Sequence, residues 1–199
     1  MNRQNYAVIL AAGFSQRMGS DKAALPWLGG SLLSYQVSQW LALGVTPVVV
    51  LGSHNSALQQ QCPGDCVCVV NPLPEAGKAG TLLRGLAAVG DWDGGFCAIA
   101  AVDQPRPAAV YQRLIAAYER DLALITAPTH QGRLGHPLLF AAAMRPQLMA
   151  IREETLGLRQ VIQNWDHAIH RCPCPEPIVL ADLNTPERYQ TWFAQASGW

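Results

Sequence analysis

The segment that most limits how this chain can fold is residues 6–22, YAVILAAGFSQRMGSDK. Its first five residues form an apolar run with the length and composition of a buried strand. The run empties at once into small residues and then into Gly13, Ser15, Arg17, Gly19 and Lys22. Glycines let a backbone approach a ligand closely and turn its N–H groups inward, and two cations neutralise charge, so such a loop is suited to phosphates. The spacing is neither that of the P-loop nor the dinucleotide G-x-G-x-x-G.

Apolar runs alternate with amphipathic segments along the chain. Strand-like runs occupy 7–10, 47–51, 66–70, 96–102 and 122–126, and helix-like segments fill 32–43, 81–89 and 108–120. Continuous apolar strands separated by helices predict a mainly parallel sheet covered on both faces, an α/β fold. Ligands bind beyond the carboxyl ends of such strands. The loops after Leu10, Val70 and Val102 then share one edge, which carries the glycine loop, residues 71–81 and Asp103-Gln104-Pro105. The last third is less regular: a strand at 137–140, a helix from Ala141, a helix at 156–164, prolines at 173, 175 and 177, and a final helix opened by Thr185-Pro186-Glu187. With 199 residues, no internal repeat and no dividing linker, the chain reads as one domain over 1–199.

Composition narrows the partners. The formal net charge is zero, so no broad field points to a nucleic acid. No apolar run approaches membrane-spanning length, and the N-terminus leads straight into the glycine loop rather than a signal peptide, so a cytoplasmic protein is expected. Only two of the fourteen basic residues are lysines, Lys22 and Lys78, and both sit in glycine-containing loops. A lysine is a compact, mobile charge suited to phosphate. The six cysteines include C-x3-C-x-C at 62, 66 and 68 and C-P-C at 172 and 174. A metal site is open to them if they meet in space, although the spacing is not that of a zinc ribbon; otherwise they are small, partly buried thiols.

The opening loop closely resembles LAAG-x-S-x-RMG-x-x-K, the signature of the MobA-like nucleotidyltransferases. Four further segments follow in the family's order: residues 71–82, the DQP at 103–105, the GHP at 135–137 and the TPE at 185–187. The resemblance implies a three-layer α/β/α sandwich with a mostly parallel mixed sheet, Rossmann-like and of the nucleotide-diphospho-sugar transferase type. It implies an enzyme that moves a nucleoside monophosphate from a triphosphate to a phosphorylated acceptor and releases pyrophosphate. Leu10, Ala11, Ala12, Gly13, Ser15 and Gly19 would hold the nucleotide, with Arg17 facing the β- and γ-phosphates and Lys22 the α-phosphate. Asp103 would hold Mg²⁺, with Asp182 and Asn184 near the same ion; the family has an acid where this chain has Asn184. Asn71, Gly77, Lys78 and Thr81 open a helix whose N-terminus would take an anion. The family has a serine pair where this chain has Gly80-Thr81. His136 and Arg159 would lie beside the acceptor; Thr155 replaces the family's aspartate in that second element. Molybdopterin is the acceptor the resemblance points to. Ala12 in LAAG favours CTP, since guanylyl-transferring members more often read LAGG. A sugar-phosphate nucleotidyltransferase, or a non-catalytic carrier that serves a molybdoenzyme, is the alternative reading.

Overall fold

The computed structural model describes residues 4–15, 18–90 and 92–196. In chain order the strands are β1 (Tyr6–Ala11), β2 (Pro26–Trp27), β3 (Gly30–Ser31), β4 (Thr46–Gly52), β5 (Val67–Asn71), β6 (Phe96–Ala101), β7 (Ile125–His130), β8 (Arg133–Leu134), β9 (Leu138–Ala141) and β10 (Ile169–Pro173). The α-helices are α1 (Leu32–Leu41), α2 (Lys78–Ala88), α3 (Ala108–Asp121), α4 (Arg145–Met149), α5 (Leu158–Asn164) and α6 (Pro186–Ala196). The main sheet runs β10-β7-β9-β6-β1-β4-β5, with β8 paired to β7.

β1 lies inside this sheet because its residues are apolar on both faces. It pairs in parallel with β4 and β6, so that Val8 faces Val48 on one side and Ile99 on the other. Alternation then sorts the strand into two layers. Ala7, Ile9 and Ala11 pack with Trp40 of α1 and with Tyr111 and Leu114 of α3. Tyr6 and Val8 pack with Leu82 and Leu86 of α2 on the opposite face. Both faces are thus covered, and the architecture is the three-layer α/β/α sandwich expected. The Trp40 and Tyr111 rings stack at 3.9 Å between α1 and α3, while Gly85 lets α2 settle against Val8 and Val50.

The sheet is mixed because β9 enters between β6 and β7 antiparallel to both. The 122–126 strand begins later, at Ile125: Leu122 adopts a left-handed conformation that ends α3, its N–H bonding to the Tyr118 carbonyl. The helix expected from Ala141 is a 3-10 turn over Ala142–Met144 followed by α4. α2 begins three residues before Thr81, at Lys78, because Gly77 at φ 110° supplies the turn into it. β10 was not anticipated. Thr185 caps α6 as expected, its Oγ1 accepting the Arg188 N–H at 3.4 Å. Among the described residues no helix is long and apolar enough to cross a membrane.

β1, β4, β5 and β6 are mutually parallel, so their following loops gather at one edge, where a cleft of about 680 Å³ opens.

Candidate active site

One wall of the cleft is the loop after β1. Leu10, Ala12, Gly13 and Ser15 line it, with Phe14 beside them. Ser15 takes a positive φ of 51°, and its hydroxyl accepts the Lys22 backbone N–H at 3.1 Å, closing the loop on itself. Asp21 then caps a short 3-10 turn, Lys22–Ala24, by accepting the Ala23 N–H at 2.8 Å. Buried Asn55 donates to the other Asp21 oxygen at 2.6 Å and to the Ala11 carbonyl at 2.9 Å. The Lys22 backbone is therefore clamped to the end of the central strand, and only its side chain is free to reach.

That side chain reaches the floor of the cleft. Lys22 Nζ donates to Asp103 Oδ2 and to Asn184 Oδ1, both at 2.7 Å. The lysine and aspartate side chains are 13% and 18% exposed, so the pair is shielded but open to a ligand. Asp103 is held by its surroundings. Buried Gln36 of α1 donates to the Ala101 and Val102 carbonyls, and the Asp103 carbonyl accepts the Leu183 N–H at 2.8 Å, which brings Asn184 alongside.

Arg106 fixes the same junction. It is fully buried, and its guanidinium donates to the carbonyls of Pro105, His136, Val179 and Ala181. Burial pulls its pKa down to about 10, so it remains a cation at neutral pH. Arg106→Met should cost about 3 kcal/mol or more, because several buried carbonyls lose their donor together. Chemical denaturation should show the fall in midpoint.

The opposite wall comes from the start of α2, where Gly77, Lys78 and Thr81 line the cleft together with Glu75. Asn71 does not line it. This buried amide donates to Thr81 Oγ1 at 3.0 Å and accepts the Leu73 N–H, so it shapes the wall from behind. The anion expected at the N-terminus of α2 is supplied by the chain itself: the Glu153 carboxylate accepts the Ala79 N–H at 2.7 Å. Lys78 is the cation this wall offers to a ligand; the Thr81 hydroxyl, already accepting from Asn71, turns its own proton to the Gly77 carbonyl at 3.4 Å.

The remaining expected residues lie outside the cleft lining. Ala11 is in the core, with its carbonyl on Asn55. Gly19 forms an exposed left-handed turn at φ 66°. Asp182 pairs with Arg188 at 2.9 Å and is anchored to α6. Arg159 is exposed on α5. Arg17 falls outside the described residues.

His136 precedes a cis peptide bond to Pro137, its N–H donating to the Val179 carbonyl. Burial, aided by the Arg106 cation, holds its imidazole down to about 4. It is therefore neutral at pH 7. Between about pH 6.5 and 4 the unfolded chain binds a proton that the folded protein refuses, so this residue lowers stability as pH falls through that window. An NMR titration should find the His136 ring with a midpoint near 4, and His136→Gln should flatten the acid limb of the stability curve.

Asp21, Gln36, Asn55 and Arg106 were missed by motif reading. Asp21 adjoins Lys22 in the signature and could have been suspected; the other three carry no local signal.

The profile of the MobA-like NTP transferase domain matches residues 7–170. This chain belongs to the MobA-like NTP transferase family. The molybdenum cofactor cytidylyltransferase of Escherichia coli K12 is 27% identical over 186 residues, covering 92% of this chain and 93% of that protein. The molybdenum cofactor guanylyltransferase of a Shewanella species (strain W3-18-1) is 26% identical over 196 residues, covering 96% of each. A solved nucleotidyl transferase from Methanothermobacter superposes with a TM-score of 0.82 at 23% identity, covering 99% of both chains. In this MobA-like transferase the cleft opens at the sheet edge where the loops after β1, β5 and β6 gather.

Proposed function

We propose that this transferase moves a nucleoside monophosphate from a nucleoside triphosphate, with CTP preferred, to the phosphate of molybdopterin and releases pyrophosphate. The observation that carries this reading is the convergence of Lys22 Nζ on Asp103 Oδ2 and Asn184 Oδ1 at the cleft floor, beside the glycine loop.

The two oxygens fit a divalent cation. Both lie 2.7 Å from one ammonium, which stands in for positive charge at that point, and carboxylate and amide oxygens are hard donors suited to Mg²⁺. Asp103 and Asn184 would hold the ion, with Asp182 kept back by Arg188. A bound Mg²⁺ would neutralise phosphate charge there.

The chain's own groups supply the rest. Gly13 and Ser15 bring backbone to the phosphates from one wall, and Lys78, beside Thr81, meets them from the other. Lys22, on a flexible stem with a fixed backbone, reaches the α-phosphate and stabilises the charge that grows as pyrophosphate departs. Arg17 serves the β- and γ-phosphates. An acceptor phosphate oxygen attacks the α-phosphorus in line; the new O–P bond forms as the bond to pyrophosphate breaks, and no covalent enzyme intermediate arises. His136, as a neutral donor, and Arg159, as a cation, would meet an acceptor that extends beyond the cleft lining, which includes neither.

Ala12 supports CTP. It lines the cleft with Leu10, at the position where the guanylyl-type signature has glycine. Ala12→Gly should raise the GTP-to-CTP ratio of kcat/KM by about tenfold, the effect of removing one methyl-sized obstruction. Incubation with Mg²⁺, each nucleotide separately and either molybdopterin or a sugar phosphate, followed by mass analysis, tests the assignment. The cytosine dinucleotide product is expected; its absence alongside a guanine product, or product only with a sugar phosphate, would reverse it.

A further inference from the structure

The nucleotide cleft leaves one chemically distinctive group unused, the thiols of Cys62, Cys66 and Cys68. The chain closes a tight loop around them. Cys62 ends a 3-10 segment with its N–H on the Gln59 carbonyl at 3.1 Å. Pro63 to Cys66 then turns back, closed by the Cys66 N–H on the Pro63 carbonyl at 3.0 Å. Cys68 follows two residues later on β5, so strand alternation returns it to the side of Cys66. The three Sγ atoms all lie within 4.8 Å of one another, and those of Cys66 and Cys68 are 3.9 Å apart. All three cysteines are free and half-buried, packed on the α1 side of the sheet yet open to solvent. Cys172 and Cys174 are not part of this group, so the two cysteine clusters of the sequence do not combine.

Metal–thiolate bonds of about 2.3 Å put three sulfurs around one ion roughly 3.8–4.0 Å apart. The Cys66–Cys68 separation already meets that spacing, and the others reach it with a contraction of less than about 1 Å. Among the described residues no histidine or carboxylate joins the group, which makes it an all-sulfur donor set. Such a set selects soft cations and rejects Mg²⁺. Three thiolates complete a trigonal shell for Cu(I), or leave a fourth position for water on Zn(II).

We propose that Cys62, Cys66 and Cys68 form a binding site for one closed-shell thiophilic cation, Cu(I) or Zn(II), separate from the nucleotide cleft. Among the described residues β5 pairs only with β4 and forms the outer strand. About 10 Å of it separates Cys68 from Asn71 at the carboxyl edge. Binding releases the thiol protons, so uptake strengthens as pH rises.

The test uses the full chain, reduced with a phosphine and stripped of metal, titrated with Zn(II) and with Cu(I) in separate competitions against a chromophoric chelator. One equivalent of at least one ion should bind in the sub-micromolar range or tighter, with a thiolate-to-metal absorption band. Cys62→Ser/Cys66→Ser/Cys68→Ser should weaken binding at least a hundredfold, and Cys66→Ser alone serves if the triple variant does not fold. Cys172→Ser/Cys174→Ser should bind as the unaltered protein does. Absence of binding tighter than millimolar for both ions, retention of binding in the serine variants, or its loss only in the Cys172/Cys174 variant would overturn the site. So would a protein that forms a disulfide within the cluster and, once reduced, takes up neither ion.

Discussion

Replacement of Asp103 by alanine is expected to lower kcat/KM by about a thousandfold or more, close to 4 kcal/mol of transition-state stabilisation. Asp103 supplies the single negative charge of the pair that converges on Lys22. Without it, Asn184 offers only a neutral amide oxygen, and the divalent cation proposed to bind there would lose its one charged ligand. The loss should therefore be recovered only in part at high Mg²⁺. Stability should fall only moderately: Gln36 and Arg106 still hold the loop through backbone carbonyls, while shielded Lys22 loses one of its two partners and buried Arg106 a nearby negative charge. Steady-state kinetics across a Mg²⁺ series checks this; a variant with near-normal kcat/KM at ordinary Mg²⁺ would remove Asp103 from the reaction.

Lys22→Ala should cost about 10²–10³ in kcat with a smaller change in KM, since its charge is proposed to act most strongly on the transition state. The Mg²⁺ concentration for half-maximal rate should not rise, because the oxygens of Asp103 and Asn184 remain. This contrast separates the two proposed roles: one variant would lose a ligand of the cation, the other a positive charge beside the leaving group. Lys22→Arg should not restore activity. The loop clamp through Ser15, Asp21 and Asn55 fixes where the side chain begins, and a guanidinium is longer and broader than the ammonium it replaces. Rapid-quench measurement of the first turnover reads the chemical step directly.

The parts of this fold that could be read from the chain are those set by local pattern. β1, β4 and β6 are apolar on both faces, and α1, α2 and α3 carry a buried face at helical spacing, so their positions followed within a few residues. β9 could be foreseen as a strand but not its direction, since a strand buried on both faces looks the same parallel or antiparallel. β10, with His170 and Arg171 inside it and Pro173 at its end, has too little apolar character to announce itself on an outer edge. The offset of β7 comes from Leu122, whose left-handed conformation nothing in a leucine signals.

The site divides in the same way. The glycine loop, Lys22 and Asp103 stand in recognisable motifs. Their meeting with Asn184 does not follow from local spacing, because Lys22 and Asn184 are 162 positions apart; the family resemblance implied only that Asn184 lies near the ion of Asp103. Arg106 was invisible because arginines are ordinarily exposed, and only the assembled loops show four carbonyls waiting for one guanidinium. Glu153 was passed over because its partner is a backbone N–H across 74 positions.

The most direct test of the central claim is pyrophosphate release by the unaltered protein with Mg²⁺, molybdopterin and CTP or GTP. The account predicts pyrophosphate in step with dinucleotide product, only when nucleotide, acceptor and Mg²⁺ are all present, and faster with CTP. Tight nucleotide binding with no pyrophosphate from either nucleotide would contradict it and leave the protein a carrier.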